Sequence, residues 1–563
     1  MTSEAVASSQ ITRDPNASLI LKRIGIVDFT ITSNLLDRSL GKNYVYQGSV
    51  PSPAAGTVIE ARVMGRIRDP QTRLNVSDDY SVSGWFMRGA IREDDNTSET
   101  PNADDPDGVF DRVFGHFFDP VLDRGLTVTG LGTQPRAVDW ALSGTARVQR
   151  IFGGQRANQF KIADAREAMW RALTLKTGAW TDDVVPSGWN SLPSTKEAIR
   201  KAYWATTFRA LGDAVHLLQD MAQPQHTRND AHSGRVCLYS LACIGGHASF
   251  FENYLAARTT TEPLFRLKQG IFGADLTTLE VNIKPDQLAY ADYPRPLFLT
   301  YADYFSKGSN AEGQGLANYS NRGFYSFGTN INSAAAAQYP SPSPTGSGLG
   351  FDTVTSGLTD RTGRPVTGSV TFRTGTVQDT INTALTEPNV KLSANGAFDQ
   401  FLVQRNSSWS QYTLNYVNYD EQAKLLVPRA VAYSAGLIDY FFRGQLYVAP
   451  PAEGVFGLVD HGDSASNCKD ACGFTKIKLR VANSTPDITP PGGTATPQGT
   501  TGGVVVAVAK FRRNSCYTTD LSGEYRGSGG DAEKIAYYNS CVAPQPEEIV
   551  VSDAKNVSGI PAC

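Results

Sequence analysis

The sequence predicts a mainly α-helical protein with a β-rich C-terminal part, on three observations. Apolar residues recur at helical spacing from about Tyr80 to Gly444, as in ADAREAMWRALTLKTG, where Ala165, Ala168, Met169 and Ala172 share a face. Short alternating stretches, KIKLRVANSTPD and GGVVVAVAKFRRN, stand out among turn-rich segments only after about Ala449. Apolar residues make up 40% and charged residues 19%, a balance that supports large cores and excludes global disorder.

The elements follow in order along 563 residues. Residues 1–77 form a mixed N-terminal extension with one extended run, VIEARVMGRI, from Val58. Residues 78–448 form the helical domain. Within it, Gly178 is placed to cap the helix of Ala165. A long helix is expected from Thr195, a side chain that can cap it, to Gln223, where Pro224 stops it. Residues 329–375 are rich in Ala, Ser, Pro, Gly and Thr and read as an inserted loop or ribbon. EQAKLLVPRAVAYSAGLIDYFFRG is helical again, with Pro428 restarting or kinking it. Ser434, in AYSAG, departs from a serine-hydrolase elbow and reads as close packing. Residues 449–563 are expected to form a small β-sandwich-like domain.

Charge and cysteine usage narrow the function classes. A net charge of -3 gives no electrostatic advantage with nucleic acid. No stretch of 18 apolar residues marks a membrane span. The start, MTSEAVASSQ, lacks the basic and apolar regions of a signal peptide. Cys237 and Cys243 bracket a short loop, Cys468 and Cys472 are four apart, and Cys516, Cys541 and Cys563 lie near the end. This spacing suggests two to three local disulfides, so a secreted or periplasmic protein is expected.

The chemistry concentrates in six histidines. In LGDAVHLLQDMAQPQH, His216 and Asp220 are one helical turn apart on one face, and His226 follows just beyond Pro224. A helix-borne His and carboxylate plus a His after the helix suit a divalent metal. Buried among Val215, Leu217 and Leu218, such polar groups would be costly without one. Asp213 and Gln219 lie near the same face and could orient the imidazoles. His116 stands in GHFFDP, downstream of Asp94 and Asp95 in RGAIREDD. In GGHASFFENY, His247 and Glu252 are five apart, about 140° round a helix. They converge on one ion only if His247 precedes the helix or a π-bulge intervenes. His232 is a substitute ligand ranked below His247, and His461 falls in the β-rich region.

Together, HxxxDxxxxxH at His216, Asp220 and His226, HFFDP at His116 and GAIRED at Asp94 resemble the bacterial zinc-dependent phospholipases C. That family includes clostridial α-toxin, with fungal zinc-dependent single-strand nucleases as distant relatives. The resemblance covers residues 78–260 by motif and extends loosely to Gly444. It implies a multi-helix domain around a cluster of two or three zinc ions. Asp94, His116, His216 and Asp220 would hold one zinc, and His226, His247 and Glu252 a second. Asp220 would bridge to a third, and Asp94 would be the general base. In the family an N-terminal Trp and a nearby His complete the third site. This chain begins Met-Thr-Ser and has no His before His116, so that site is expected to be absent, built otherwise, or lost with a missing segment. The implied activity is hydrolysis of phosphodiesters, first of all in phospholipids, with peripheral membrane contact. A single-strand nuclease and a secreted binding protein with structural zinc are the alternatives.

Overall fold

The computed structural model describes residues 110–150, 153–158, 160–176, 193–232, 236–238, 242–244, 293–326, 349–357, 369–396, 412–414, 416–452, 457–460, 474–500, 502–512 and 547–557. It also describes Ala5, Trp85, Phe86, Gly89, Ala90, Glu93, Phe251, Glu252, Tyr254, Leu255 and a few further single positions. The N-terminal run from Val58, Gly178, Asp94, Asp95, His247 and His461 lie outside the described residues.

Seven helices are present among the described residues: α1 (Ala137–Leu142), α2 (Ile162–Thr174), α3 (Pro193–Asp220), α4 (Pro224–Thr227), α5 (Tyr301–Phe305), α6 (Leu316–Gly323) and α7 (Tyr416–Phe442). Three two-stranded antiparallel hairpins accompany them: β1 (Thr127–Val128) with β2 (Gly132–Thr133), β3 (Arg147–Gln149) with β4 (Gln155–Ala157), and β5 (Val236–Leu238) with β6 (Ala242–Ile244). Strands β7 (Gly350–Val354), β8 (Val370–Val377), β9 (Glu387–Asn395) and β10 (Tyr412–Thr413) form one antiparallel sheet in the order β10-β9-β8-β7.

The described residues are 39% helical and 23% strand, so the expected mainly α class gives way to a mixed one. The segment expected as an inserted loop carries β7 and most of β8. Its Thr and Gly content hid an alternation of Val, Phe and Thr that buries Phe372 and Thr374 on one face of β8. The expected C-terminal sandwich is not seen among the described residues either. There, β11 (Leu446–Ala449) pairs β14 (Arg480–Asn483) and β12 (Gly457–Asp460) pairs β13 (Phe474–Lys478). Likewise β15 (Gly503–Val505) pairs β18 (Lys555–Val557) and β16 (Val508–Arg512) pairs β17 (Glu547–Val551). These strands are only three to five residues long, and each ladder stops at one partner.

The chain falls into two compact units. One comprises residues 1–166, 205–441 and 489–494, the other residues 167–204, 442–488 and 495–563. In the first unit, the second half of α3 is buried all round: Leu211, Ala214, Val215, Leu217 and Leu218 are fully covered. Its buried polar residues Arg209, Asp213 and Asp220 share that core with the apolar ones. Helix α7 also belongs to that core and runs on through Pro428. It is the one described helix long and apolar enough to cross a membrane, with mean hydropathy 1.2, and 72% of that stretch is buried.

Two glycines set the packing beside the site. Trp85, Phe86, Gly89, Ala90 and Glu93 are helical, and their backbone presses directly on α3. A Cβ on Gly89 would lie 2.1 Å from the Arg209 carbonyl oxygen, and one on Gly212 2.1 Å from that of Phe86. No other residue permits this approach. One turn beyond Gly89, it delivers Glu93 to the core beside His116.

Candidate metal centre

Helix α3 ends at Asp220, and a tight turn over Met221–Gln223 follows, closed by Gln223 N–H donating to the Asp220 carbonyl (2.9 Å). Pro224 then opens the single turn of α4, where its missing N–H costs nothing. His216 and Asp220 therefore point from one face of α3, and α4 turns His226 back toward them. The motif at His116 is zipped to the same place. The Phe118 N–H donates to the His226 carbonyl (3.0 Å), and His226 Nδ1 lies 2.9 Å from the His116 carbonyl oxygen. Phe117 stacks on the His226 ring, with centroids 4.5 Å apart and planes 4° apart.

Two groups of three donors result: His116, His216 and Asp220, and His226, His232 and Glu252. In the first, Asp220 Oδ2 lies 3.0 Å from His116 Nδ1 and 3.4 Å from His216 Nε2. No donor is aligned on that buried oxygen for a hydrogen bond. In the second, His226 Nε2 lies 3.1 Å from His232 Nε2 and 3.3 Å from Glu252 Oε1, and His232 Nε2 lies 2.9 Å from Glu252 Oε1. The groups adjoin, since His226 Nδ1 is 3.5 Å from Asp220 Oδ2.

These spacings fit an ion. Four ligand atoms set tetrahedrally at bonds of about 2.0–2.1 Å stand roughly 3.3–3.4 Å apart. Each group can thus hold a divalent metal ion, with three donors apiece among the described residues. Exposure is graded across the centre: His116 is almost fully buried, the His216 side chain is 14% exposed and that of Glu252 38%.

The electrostatics agree. Burial alone would raise the Asp220 carboxyl, but the imidazoles of His216, His226 and His116 hold it far below the usual carboxylate range. Burial likewise works against charge on His232, yet Glu252 beside it pushes that imidazole up to about 9. Glu252 is driven well below its ordinary value, burial being outweighed by His232 and His226. Concentrated negative charge among imidazoles is what a divalent cation would neutralise.

Scaffolding around the loop is dense. Asn229 adopts a left-handed backbone (φ 52°) between the two histidines, and its Oδ1 accepts the Thr127 N–H at 2.9 Å. From α6, wholly buried despite its polar sequence LANYSNRG, Asn321 donates to the Thr227 carbonyl (2.6 Å) and Ser320 to that of Met221 (2.6 Å). Tyr339 donates its hydroxyl to the Arg228 carbonyl (2.7 Å). In HFFDP, Asp119 Oδ1 accepts the Val121 and Leu122 N–H groups and so builds the turn after the motif.

The structure thus brings together His116, His216, Asp220, His226 and Glu252 from the expected set. It adds His232, ranked lower in the sequence, while the expected ligands Asp94 and His247 lie outside the described residues. Asp213 turns instead to Arg112 (2.7 Å) and Arg209 (3.2 Å), and Gln219 donates to Ser434 Oγ (3.3 Å) on α7. Glu93 was passed over: it is fully buried, pairs with Arg112, accepts Trp140 Nε1–H at 2.8 Å, and reaches within 3.5 Å of His116 Nε2. The short loop Arg228–His232, with its Asn-Asp turn residues, was the one local signal for His232. Comparison of the chain with protein-family models, curated proteins and solved structures finds no match.

Proposed function

We propose that the chain is a zinc-dependent phosphodiesterase of phospholipase C type, acting on phospholipid headgroup esters. The observation that carries the reading is the pair of adjoining donor groups, His116/His216/Asp220 and His226/His232/Glu252, at ligand spacing. Imidazole nitrogen with one carboxylate per group is a zinc-type donor set. The motifs around these residues resemble the bacterial zinc phospholipases C.

When bound, zinc supplies Lewis acidity and an acidified water for attack on phosphorus. The protein's own part is arrangement. Asp220 stands where both groups meet, so one carboxylate ties them together. His226 offers Nε2 because its Nδ1 is engaged by the His116 carbonyl, and His232 offers Nε2 because its Nδ1 faces the Asp230 carbonyl at 3.0 Å. Glu252 and His216 line the approach, where a phosphate would displace water. The net charge of -3 weighs against single-stranded nucleic acid as the main substrate.

The test compares zinc-loaded chain on a chromogenic phosphocholine ester and on single-stranded DNA. Turnover of the ester, abolished in Asp220→Asn, is expected. Turnover of DNA alone would move the assignment to a nuclease. A zinc-loaded protein that cleaves neither would remove the enzymatic reading.

A further inference from the structure

We infer that Glu93 is a positioning residue that decides which nitrogen of His116 is offered to an ion. The inference rests on the reading of His116, His216 and Asp220 as a metal site. The His116 ring lies between two carboxylates, with Nδ1 3.0 Å from Asp220 Oδ2 and Nε2 3.5 Å from Glu93 Oε1. A neutral imidazole has one N–H, and the other nitrogen carries the lone pair. If Asp220 takes that hydrogen, Nδ1 is lost as a donor to the first group. If Glu93 takes it, Nδ1 stays bare and faces Asp220 and His216.

The Glu93 side chain is anchored beside Nε2 of that ring. Its Oε1 is anchored by Trp140 Nε1–H at 2.8 Å and its Oε2 pairs with Arg112. The same guanidinium reaches Asp213 at 2.7 Å, and Asp213 is gripped by Arg209 at 3.2 Å. Arg209 in turn lies over the Phe160 ring, 4.0 Å from its centroid. Two acids and two guanidiniums alternate in a chain buried from water, which holds the side chain of Glu93 in place beside His116. The Gly89–Gly212 contact holds its backbone against α3. Gly115 packs on Trp140, where a Cβ would lie 2.7 Å from the ring, so the residue before His116 and the anchor of Glu93 are one unit. Outer carboxylates that orient a ligating imidazole typically change metal affinity 10–100-fold on removal.

The experiment uses the full chain with zinc as probe. Ring ¹⁵N spectra of zinc-loaded protein are expected to show His116 with hydrogen on Nε2 and zinc on Nδ1. Hydrogen on Nδ1 would overturn the inference without any variant. Chelator competition then follows Glu93→Gln in two backgrounds. With His232→Ala, which leaves the first group, zinc affinity is expected to fall about 10–100-fold. With His216→Ala, which leaves the second group, it is expected to stay unchanged. Equal losses in both backgrounds, or none in either, would overturn the role. A parent protein that takes up no zinc would instead overturn the metal reading beneath it.

Discussion

His226 and His232 face each other through Nε2 at 3.1 Å, while each turns Nδ1 to a backbone carbonyl, that of His116 and of Asp230. With hydrogens on both Nδ1 atoms, two lone pairs point at one another, an arrangement stable only with a cation between them. Removing one of the pair should therefore unmake one site. His232→Ala is expected to reduce bound zinc by one ion per chain and leave the other in place, read by metal analysis after gel filtration. Unchanged stoichiometry would assign His232 a purely structural role.

In the ion-free protein a proton on His232, whose Nε2 lies 2.9 Å from Glu252 Oε1, takes the place of the ion. Glu252 raises His232 to about 9, above its ordinary value, against the opposing effect of burial. A raised imidazole value means that the His232–Glu252 pair contributes stability fully below about pH 6.5, and that this stability is lost as pH rises through about 9. The melting temperature of ion-free protein should fall across that window, while zinc-loaded protein should not follow it. Binding must also expel the proton, so calorimetry at pH 7 in buffers of different ionisation enthalpy should show proton release on zinc uptake. Buffer-independent heats would contradict this.

Gly89 and Gly212 meet backbone to backbone with no room for a methyl group. Gly212→Ala is expected to destabilise the protein by roughly 1–3 kcal/mol in urea unfolding, since the helix bearing Glu93 must move off α3. An unchanged midpoint would show that this helix is not seated as described.

Asn229 holds the Arg228–His232 loop by a left-handed backbone and a side-chain bond to β1. Asn229→Gly keeps the conformation and loses the bond, so a small effect is expected. Asn229→Val adds strain of about 1–3 kcal/mol and should weaken zinc binding at the second group more than at the first. Equal melting temperatures for the two variants would remove the strain argument.

The sequence made the α3–α4 part of the centre legible because helix spacing and a proline translate directly into geometry. His216 and Asp220 four apart must share a face, and Pro224 must open a new turn. The same local rules could not choose between neighbouring acids. That Glu93 meets His116 depends on how its helix is rotated against α3, which the Gly89–Gly212 contact sets at a distance of 123 positions in the chain. His232 was undervalued because its convergence with His226 depends on one left-handed residue, Asn229. Asp213, on a plausible face for imidazoles, is taken by Arg112, a residue 101 positions away. The sheet of β7 to β10 was missed because Thr and Gly in VTFRTGTV read as loop composition, although pairing with β9 makes them strand.

The central claim is that donors from distant parts of the chain converge on adjoining divalent ions, with Asp220 where they meet. Zinc content of purified chain equilibrated with zinc, beside that of Asp220→Asn, tests it most directly. At least two tightly held ions per chain are expected, with loss of one or more when Asp220 is neutralised. A wild-type chain without tightly held zinc, or an Asp220→Asn chain with the full complement, would contradict it.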